Sequence, residues 1–222
     1  MAVSLVDPRT GFVADLEAIR GVIGDRLLIV DAIQGFGVVD ARYDVADGGQ
    51  KWLRAGWGTG FLALGDRARE ILEPVLSGFT GTAEREPWDD VPEPAAGASA
   101  FTISNPDLLA LSRLAASVEE IDATGVPVIA AAIAERAAQV IDIADEFAVP
   151  VISPRTESDR AGIVVLEPDA EQLGALEASF HNHGVTVTIR QGRVRVSVHA
   201  GTTAETLGLL RDALISASTL AF

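Results

Sequence analysis

The chain has no cysteine among its 222 residues, and aromatic residues make up only 5%. Without cysteine it can form no disulfide, no thiolate metal site and no cysteine nucleophile. No apolar run is long enough to span a bilayer, and the first residues lack the basic flank and apolar core of a signal peptide. These absences predict a cytoplasmic protein that does not enter a membrane.

Positive charge is also scarce. The chain carries 17 basic and 32 acidic residues, which gives a net charge of −15. Such a surface repels phosphate backbones and argues against a nucleic-acid partner or an anionic membrane surface. Hydrophobic residues make up 48%, which is enough for a sizeable core in one large domain or two small ones.

Lysine is the rarest basic residue, because Lys51 is the only one in the chain. A compositional bias towards arginine explains part of this scarcity. Arginine, however, cannot lose a proton near neutral pH and attack a carbonyl group, whereas lysine can. Lys51 is therefore a candidate for amine chemistry, with accidental survival of one lysine as the alternative.

Hydrophobic periodicity predicts an α/β protein. The apolar run 27–30 is typical of a buried parallel strand, and residues 61–64 form another candidate strand. A proline- and glycine-rich loop over 77–100 precedes two long helical patterns. The last part alternates as strand, helix, strand, strand and helix, which predicts a small α+β domain. The predicted division is residues 1–100, 101–150 and 151–222.

Two polar groups follow the first predicted strand. Asp31 ends that strand, and Gln34 lies in the tight turn behind it, so both can face one planar ligand. The structural alternative is that Asp31 caps the turn. Lys51 lies on a glycine-rich loop with Trp52 and Trp57, which solvated loops rarely carry. An aspartate for a pyridinium nitrogen and a lysine for a Schiff base are the protein groups that pyridoxal phosphate (PLP) requires.

Two segments carry a family resemblance. Residues 29–37 (IVDAIQGFG) and 49–61 (GQKWLRAGWGTGF) resemble the class V aminotransferase family of fold-type I PLP enzymes. The resemblance implies that Lys51 forms the Schiff base and that Asp31 pairs with the cofactor's ring nitrogen. The resemblance places Gln34 near the ring hydroxyl. It also assigns Gln50 to the cofactor site, at a position where many relatives have histidine.

A third segment, residues 193–199 (RVRVSVH), resembles the strand of the small domain whose arginine holds the substrate's α-carboxylate. The resemblance assigns this role to Arg195, and a guanidinium suits bidentate carboxylate recognition. The alternative is an outward arginine paired with an acidic surface residue. Arg193 lies on the same face of the predicted strand, so the choice between the two rests on the resemblance.

The three histidines do not predict a metal site. His181 and His183 are two residues apart near a helix end, so a helix directs them differently. A histidine at a helix C-terminus suits the helix dipole. The sequence therefore predicts no metal.

The resemblance implies an α/β fold: part of a PLP-dependent transferase large domain, with a mostly parallel sheet and helices, followed by a small C-terminal α+β domain. It covers the C-terminal half of such enzymes, and the other half supplies the phosphate-binding turn and the group stacked on the cofactor ring. It implies a homodimer that acts on an amino acid or related amine by transamination, epimerisation or elimination. Relatives that desulfurise cysteine through a persulfide use a cysteine that this chain lacks.

Two alternatives remain. The chain can be a truncated, non-catalytic remnant of such an enzyme, because the residues of the first half are missing from it. It can also be an acidic α+β scaffold in which the match is a coincidence.

Overall fold

The computed structural model describes residues 1–41, 45–47, 49–83 and 92–220. The chain divides into two compact units: Met1–Leu5, Asp15–Gly37 and Ala41–Ala123 form the first, and Val6–Ala14, Val38–Asp40 and Thr124–Phe222 form the second. The predicted domain boundaries after residues 100 and 150 are a different kind of division, and they stay a prediction. In the described ranges no helix is long and apolar enough to cross a membrane.

In its described residues the first unit contains a four-stranded sheet and three α-helices. Its elements are β1 (Ala2–Ser4), α1 (Leu16–Ile23), β2 (Ile29–Asp31), β3 (Val45–Asp47), β4 (Ala63–Leu64), α2 (Asp66–Ile71) and α3 (Leu108–Thr124). Strands β1, β2 and β3 run parallel, and β4 pairs antiparallel with β3. The carboxyl ends of three strands therefore meet at one edge of the sheet, which is the edge where α/β proteins bind ligands.

Strand β2 differs from its expected burial. The apolar run 27–30 predicted a strand buried on both faces, but the strand covers Ile29–Asp31, and Ile29 is 43% exposed. Alternation explains the difference: the buried Val30 faces one side of the sheet, whereas its two neighbours in the strand face the other. Among the described residues, packing therefore buries the face of the sheet to which Val30 points, and Ile29 and Asp31 on the other face are exposed.

Helix α1 precedes β2 and has clear end signals. Asp15 caps its N-terminus, where the carboxylate accepts a hydrogen bond of 2.9 Å from the backbone N–H of Ala18. Gly24 follows its last residue with φ of 57°, a left-handed conformation that glycine adopts without strain. Leu16 and Ile23 are buried, whereas Val22 is exposed.

The second unit contains a three-stranded antiparallel sheet of order β5-β7-β6. Its elements are α4 (Val126–Glu146), β5 (Ile163–Leu166), α5 (Ala170–Asn182), β6 (Thr188–Arg190), β7 (Arg193–Ser197) and α6 (Ala204–Leu220). This order confirms the predicted strand, helix, strand, strand and helix. Strand β6 has only three residues.

The core of the second unit lies between its sheet and its helices. All four residues of β5 are buried, and α4 packs against this strand. Helices α5 and α6 pack against each other, and Ser179 Oγ of α5 donates a hydrogen bond of 2.7 Å to the carbonyl oxygen of Ala213 in α6.

The predicted loop over 77–100 belongs to the first unit. The structure contains two short 3-10 turns there, and residues 84–91 lie outside the described residues.

Candidate active site

The carboxyl ends of β2 and β3 lie side by side, and predicted site residues follow both strands. Asp31, the last residue of β2, is in register with Asp47, the last residue of β3. Asp31 is exposed, and its Oδ1 accepts a hydrogen bond of 3.1 Å from the backbone N–H of Ile33. The carboxylate therefore supports the turn behind β2, while the residue lies at the ligand-binding edge of the sheet.

Gln34 is the buried polar residue of that turn. Only 6% of its surface is exposed. Trp52 Nε1 donates a hydrogen bond of 3.2 Å to Gln34 Oε1. Gln34 Nε2 has no hydrogen-bond partner among the described residues. Because a buried donor without an acceptor is costly, this atom suits a ligand that brings an acceptor oxygen.

Lys51 lies on a tight loop between β3 and β4. The backbone N–H of Arg54 donates to the carbonyl oxygen of Lys51 at 2.9 Å, and that of Ala55 donates to the carbonyl oxygen of Gly49 at 3.2 Å. Lys51 is exposed and Gln50 is half-buried. The loop thus fixes the backbone around the lysine while the residue itself reaches the surface.

The glycine at position 49 is explained by a close backbone approach. A Cβ on Gly49 would lie 2.5 Å from Thr59 Oγ1 and 2.8 Å from the backbone carbonyl carbon of Thr59. Thr59 Oγ1 in turn donates a hydrogen bond of 2.6 Å to the carbonyl oxygen of Gly56. The two ends of the lysine loop therefore touch, and only glycine fits at this contact.

Arg113 of α3 donates two hydrogen bonds to the backbone of the lysine loop. Its Nε donates to the carbonyl oxygen of Ala55 at 2.9 Å, and its Nη2 donates to the carbonyl oxygen of Trp57 at 3.2 Å. The sequence analysis missed this residue. No local signal identifies it, because its partners are more than fifty residues away in the chain and belong to the loop backbone.

A hydrophobic cluster joins the segments that carry the family resemblance. Phe36 follows Gln34, and its ring contacts that of Phe61 edge to face, with 4.7 Å between the centroids. Both rings pack against a small buried group formed by Leu53, Ala55 and Leu114. The structure therefore brings residues 29–37 and 49–61 together through the phenylalanine pair and through the hydrogen bond between Gln34 and Trp52.

Arg195 belongs to the second unit. Its Nη2 donates a hydrogen bond of 3.2 Å to Thr188 Oγ1 in the neighbouring strand, and its buried Nε has no hydrogen-bond partner among the described residues. Arg193 on the same strand differs, since its Nη2 lies 2.7 Å from a carboxylate oxygen of Glu167. Of the two candidate arginines, Arg193 therefore already has a carboxylate partner.

The histidines have local contacts. His183 Nε2 lies 2.9 Å from Ser216 Oγ, and His199 Nδ1 accepts a hydrogen bond of 3.3 Å from the backbone N–H of Gly201. Among the residues with described positions, no group of three histidine, aspartate or glutamate residues could hold a metal ion.

Comparison with known sequences gives one curated relative of moderate similarity. No family model matches the chain. A kynureninase from Deinococcus radiodurans is 28% identical over 184 residues, which are 77% of this chain and 45% of that protein. The chain thus spans less than half the length of this relative.

Solved structures are more similar in fold than in sequence. A cysteine desulfurase from Thermococcus onnurineus NA1 superposes with a TM-score of 0.82 at 22% identity, over 95% of this chain and 57% of that one. A mutant of the enzyme C-DES, with glycine covalently linked to its PLP cofactor, gives a TM-score of 0.79 at 17% identity, over 96% and 59%. The predicted fold class is confirmed: the chain has an α/β fold that matches part of the fold of these two proteins.

Proposed function

We propose that this chain carries the lysine-bearing part of a PLP-dependent enzyme that acts on an amino acid or a related amine. The observation that carries the proposal is the buried, unpartnered Nε2 of Gln34, whose amide is bonded to the residue next to Lys51. The proposal includes the correspondence of this chain to the C-terminal half of such enzymes. The similarity in fold to PLP-dependent enzymes supports it.

The side chains of the first unit fit this cofactor. A pyridine ring with a basic nitrogen, a ring oxygen and an aldehyde needs a carboxylate, a hydrogen-bond donor and an amine. Asp31, Gln34 and Lys51 offer these groups on neighbouring segments, and the Gln34 donor has no partner among the described residues. When bound, PLP supplies an electron-accepting ring that stabilises negative charge at the substrate's α-carbon.

Each residue then has a separate role. Lys51 Nζ would hold the cofactor by condensing with its aldehyde carbon, which releases water. Once the substrate's amine had displaced it from that carbon, the freed amine would take the proton from the substrate's α-carbon. The Asp31 carboxylate keeps a proton on the ring nitrogen, since an adjacent negative charge favours the protonated form. Gln34 Nε2 donates to the ring oxygen, and Gln50 adds a second amide beside Lys51. Arg195, which has no carboxylate within 4 Å among the described residues, binds the substrate carboxylate.

The proposed reaction is transamination, epimerisation or elimination. The chain has no cysteine to accept sulfur from a substrate, so its own residues provide no persulfide step. Kynureninase and cysteine desulfurase, the names of the similar proteins, both describe reactions on amino acids, which supports a small amino substrate.

A homodimer is part of the proposal. Apolar side chains of the first unit are exposed on two segments of the chain. The backbone N–H of Gly78 in one segment donates a hydrogen bond of 2.8 Å to the carbonyl oxygen of Thr102 in the other. These exposed side chains are Val75, Leu76, Phe79, Ile103, Leu108 and Leu109. A second copy would cover such a surface, which monomers rarely expose. Sedimentation velocity tests this: the wild type should be dimeric, Leu108→Asp should weaken association, and a monomeric wild type would contradict it.

Titration with PLP tests the proposed function. We expect the wild type to gain a visible absorbance band at one equivalent of PLP, and Lys51→Arg to lose the band while it stays folded, because arginine keeps the charge without a reactive amine. Arg54→Ala is the matched control, since Arg54 is exposed on the same loop. The same weak band in all three proteins would contradict the proposal and favour a non-catalytic remnant.

A further inference from the structure

The indole Nε1 of Trp52 donates a hydrogen bond to Gln34 in the candidate site. Trp52 is 9% exposed and Gln34 is 6% exposed, so their hydrogen bond is shielded from water. We propose that Trp52 is a positioning residue that holds the amide of Gln34 with Nε2 directed towards the cofactor, an inference that rests on the proposed function.

The chemistry of the indole allows one amide orientation. Trp Nε1–H is a donor and cannot accept, whereas a glutamine amide has an acceptor at one end and a donor at the other. If the amide of Gln34 turned over, its N–H groups would face the indole N–H, and the hydrogen bond from Trp52 Nε1 to Gln34 Oε1 would be lost. Trp52 therefore fixes Oε1 towards itself and leaves Nε2 for a different partner.

The position of Trp52 in the chain links this orientation to the lysine. Trp52 directly follows Lys51, and the next residue, Leu53, is anchored in the hydrophobic cluster beside Leu114. The loop backbone is closed by the hydrogen bond from the Arg54 N–H to the Lys51 carbonyl oxygen, at 2.9 Å. A single short segment thus sets both the lysine and the amide donor.

A fixed donor has a measurable effect on what it contacts. A hydrogen bond to an ionised oxygen favours the ionised form, so Nε2 of Gln34 would stabilise a negatively charged ring oxygen. A freely turning amide would spend part of its time with Oε1 facing that oxygen, which would disfavour the charge. Loss of the indole donor should therefore weaken cofactor binding and raise the pH at which the bound cofactor's absorbance changes.

The test is a double-mutant cycle between Trp52 and Gln34. We expect Trp52→Phe to raise the dissociation constant of PLP by about threefold to tenfold, the range for one buried hydrogen bond. It should also shift the pH midpoint of the absorbance upward. In a Gln34→Met background, Trp52→Phe should change the dissociation constant of PLP by less than about twofold and should leave the pH midpoint unchanged, because no amide remains to be oriented. Trp57→Phe is the control, since Trp57 is 85% exposed.

A second measurement keeps the inference testable if Trp52→Phe fails to fold. Of the three tryptophans, the indole N–H signal of Trp52 is the one that persists in Trp57→Phe and Trp88→Phe. In cofactor-free protein, Gln34→Met should shift this signal in a ¹⁵N spectrum and speed its hydrogen exchange, whereas Gln50→Met should not.

Three results overturn the inference. Equal effects of Trp52→Phe with and without Gln34 would show that the indole acts by packing alone. A wild type that binds PLP with the same affinity and pH midpoint as Trp52→Phe would refute positioning while leaving the proposed function intact. A wild type that binds no PLP would refute the proposed function and this inference with it.

Discussion

Substitution of Arg113 by methionine tests whether α3 holds the lysine loop. The arginine makes two hydrogen bonds to loop carbonyl oxygens, at 2.9 Å and 3.2 Å. Hydrogen bonds from a charged donor contribute about 1.5–3 kcal/mol when buried. Arg113 is exposed, with its bond to Ala55 part-buried and its bond to Trp57 exposed, so water reduces each to about 1 kcal/mol. Arg113→Met should therefore lower the local stability of the loop by about 2 kcal/mol.

Native-state hydrogen exchange measures this local stability directly. The amides of Arg54 and Ala55 are bonded within the loop, so they exchange only when the loop opens. A loss of about 2 kcal/mol should speed their exchange roughly thirtyfold. Amides of the second unit should be unaffected, and PLP binding at Lys51 should weaken because the loop is ordered less of the time.

The control is Arg190→Met, which removes an exposed arginine of β6 in the second unit. It should leave exchange at Arg54 and Ala55 unchanged. If Arg113→Met also changes these rates by less than about threefold, the two hydrogen bonds do not stabilise the loop. Equal acceleration throughout the first unit would mean that Arg113 supports the whole unit instead of the lysine loop.

Two further substitutions test separate contacts. Gly49→Ala should lower the thermal midpoint and weaken PLP binding, because its Cβ would lie 2.8 Å from the Thr59 backbone carbon, whereas Gly60→Ala, with nothing within 4 Å, should change neither. The Arg155 guanidinium lowers the pKa of Asp145 through two hydrogen bonds of 2.7 Å. This pair therefore stabilises the fold above the ordinary aspartate pKa, and the difference between wild type and Asp145→Asn in urea unfolding should vanish as pH falls through the lowered pKa.

The elements with strong local patterns could be predicted from the sequence. The apolar run before Asp31 indicated a strand, and the residue does end one, because a charged residue after an apolar run marks the edge of a sheet. The capped helix α1 and the order of elements in the second unit were predictable for the same reason: their end signals and periodicity are local.

What depends on distant partners could not be predicted. Strand β1 has only three residues and forms by pairing with β2, so its own sequence contains no pattern. The bond between Trp52 and Gln34 joins residues eighteen positions apart, and Arg113 reaches Ala55 from a different helix. Glycine and tryptophan content marked the lysine loop as unusual, but only the fold shows which tryptophan is buried and which is exposed.

The roles of Asp31, Gln34, Gln50, Lys51 and Arg195 stay predictions. The structure places the first four on adjoining segments of the first unit and Arg195 on β7 of the second. It gives a physical reason to prefer Arg195 over Arg193, since Glu167 already pairs with Arg193.

Reductive trapping of PLP on the chain tests the central claim most directly. The protein is mixed with PLP, reduced with borohydride and digested, and the modified peptide is identified by mass spectrometry. Because the chain has one lysine, only the N-terminal amine competes, and that amine is hydrogen-bonded to the Leu27 carbonyl oxygen at 2.7 Å. The account predicts about one label per chain on Lys51, absent from Lys51→Arg. Trace label, or label on Met1 alone, would contradict it.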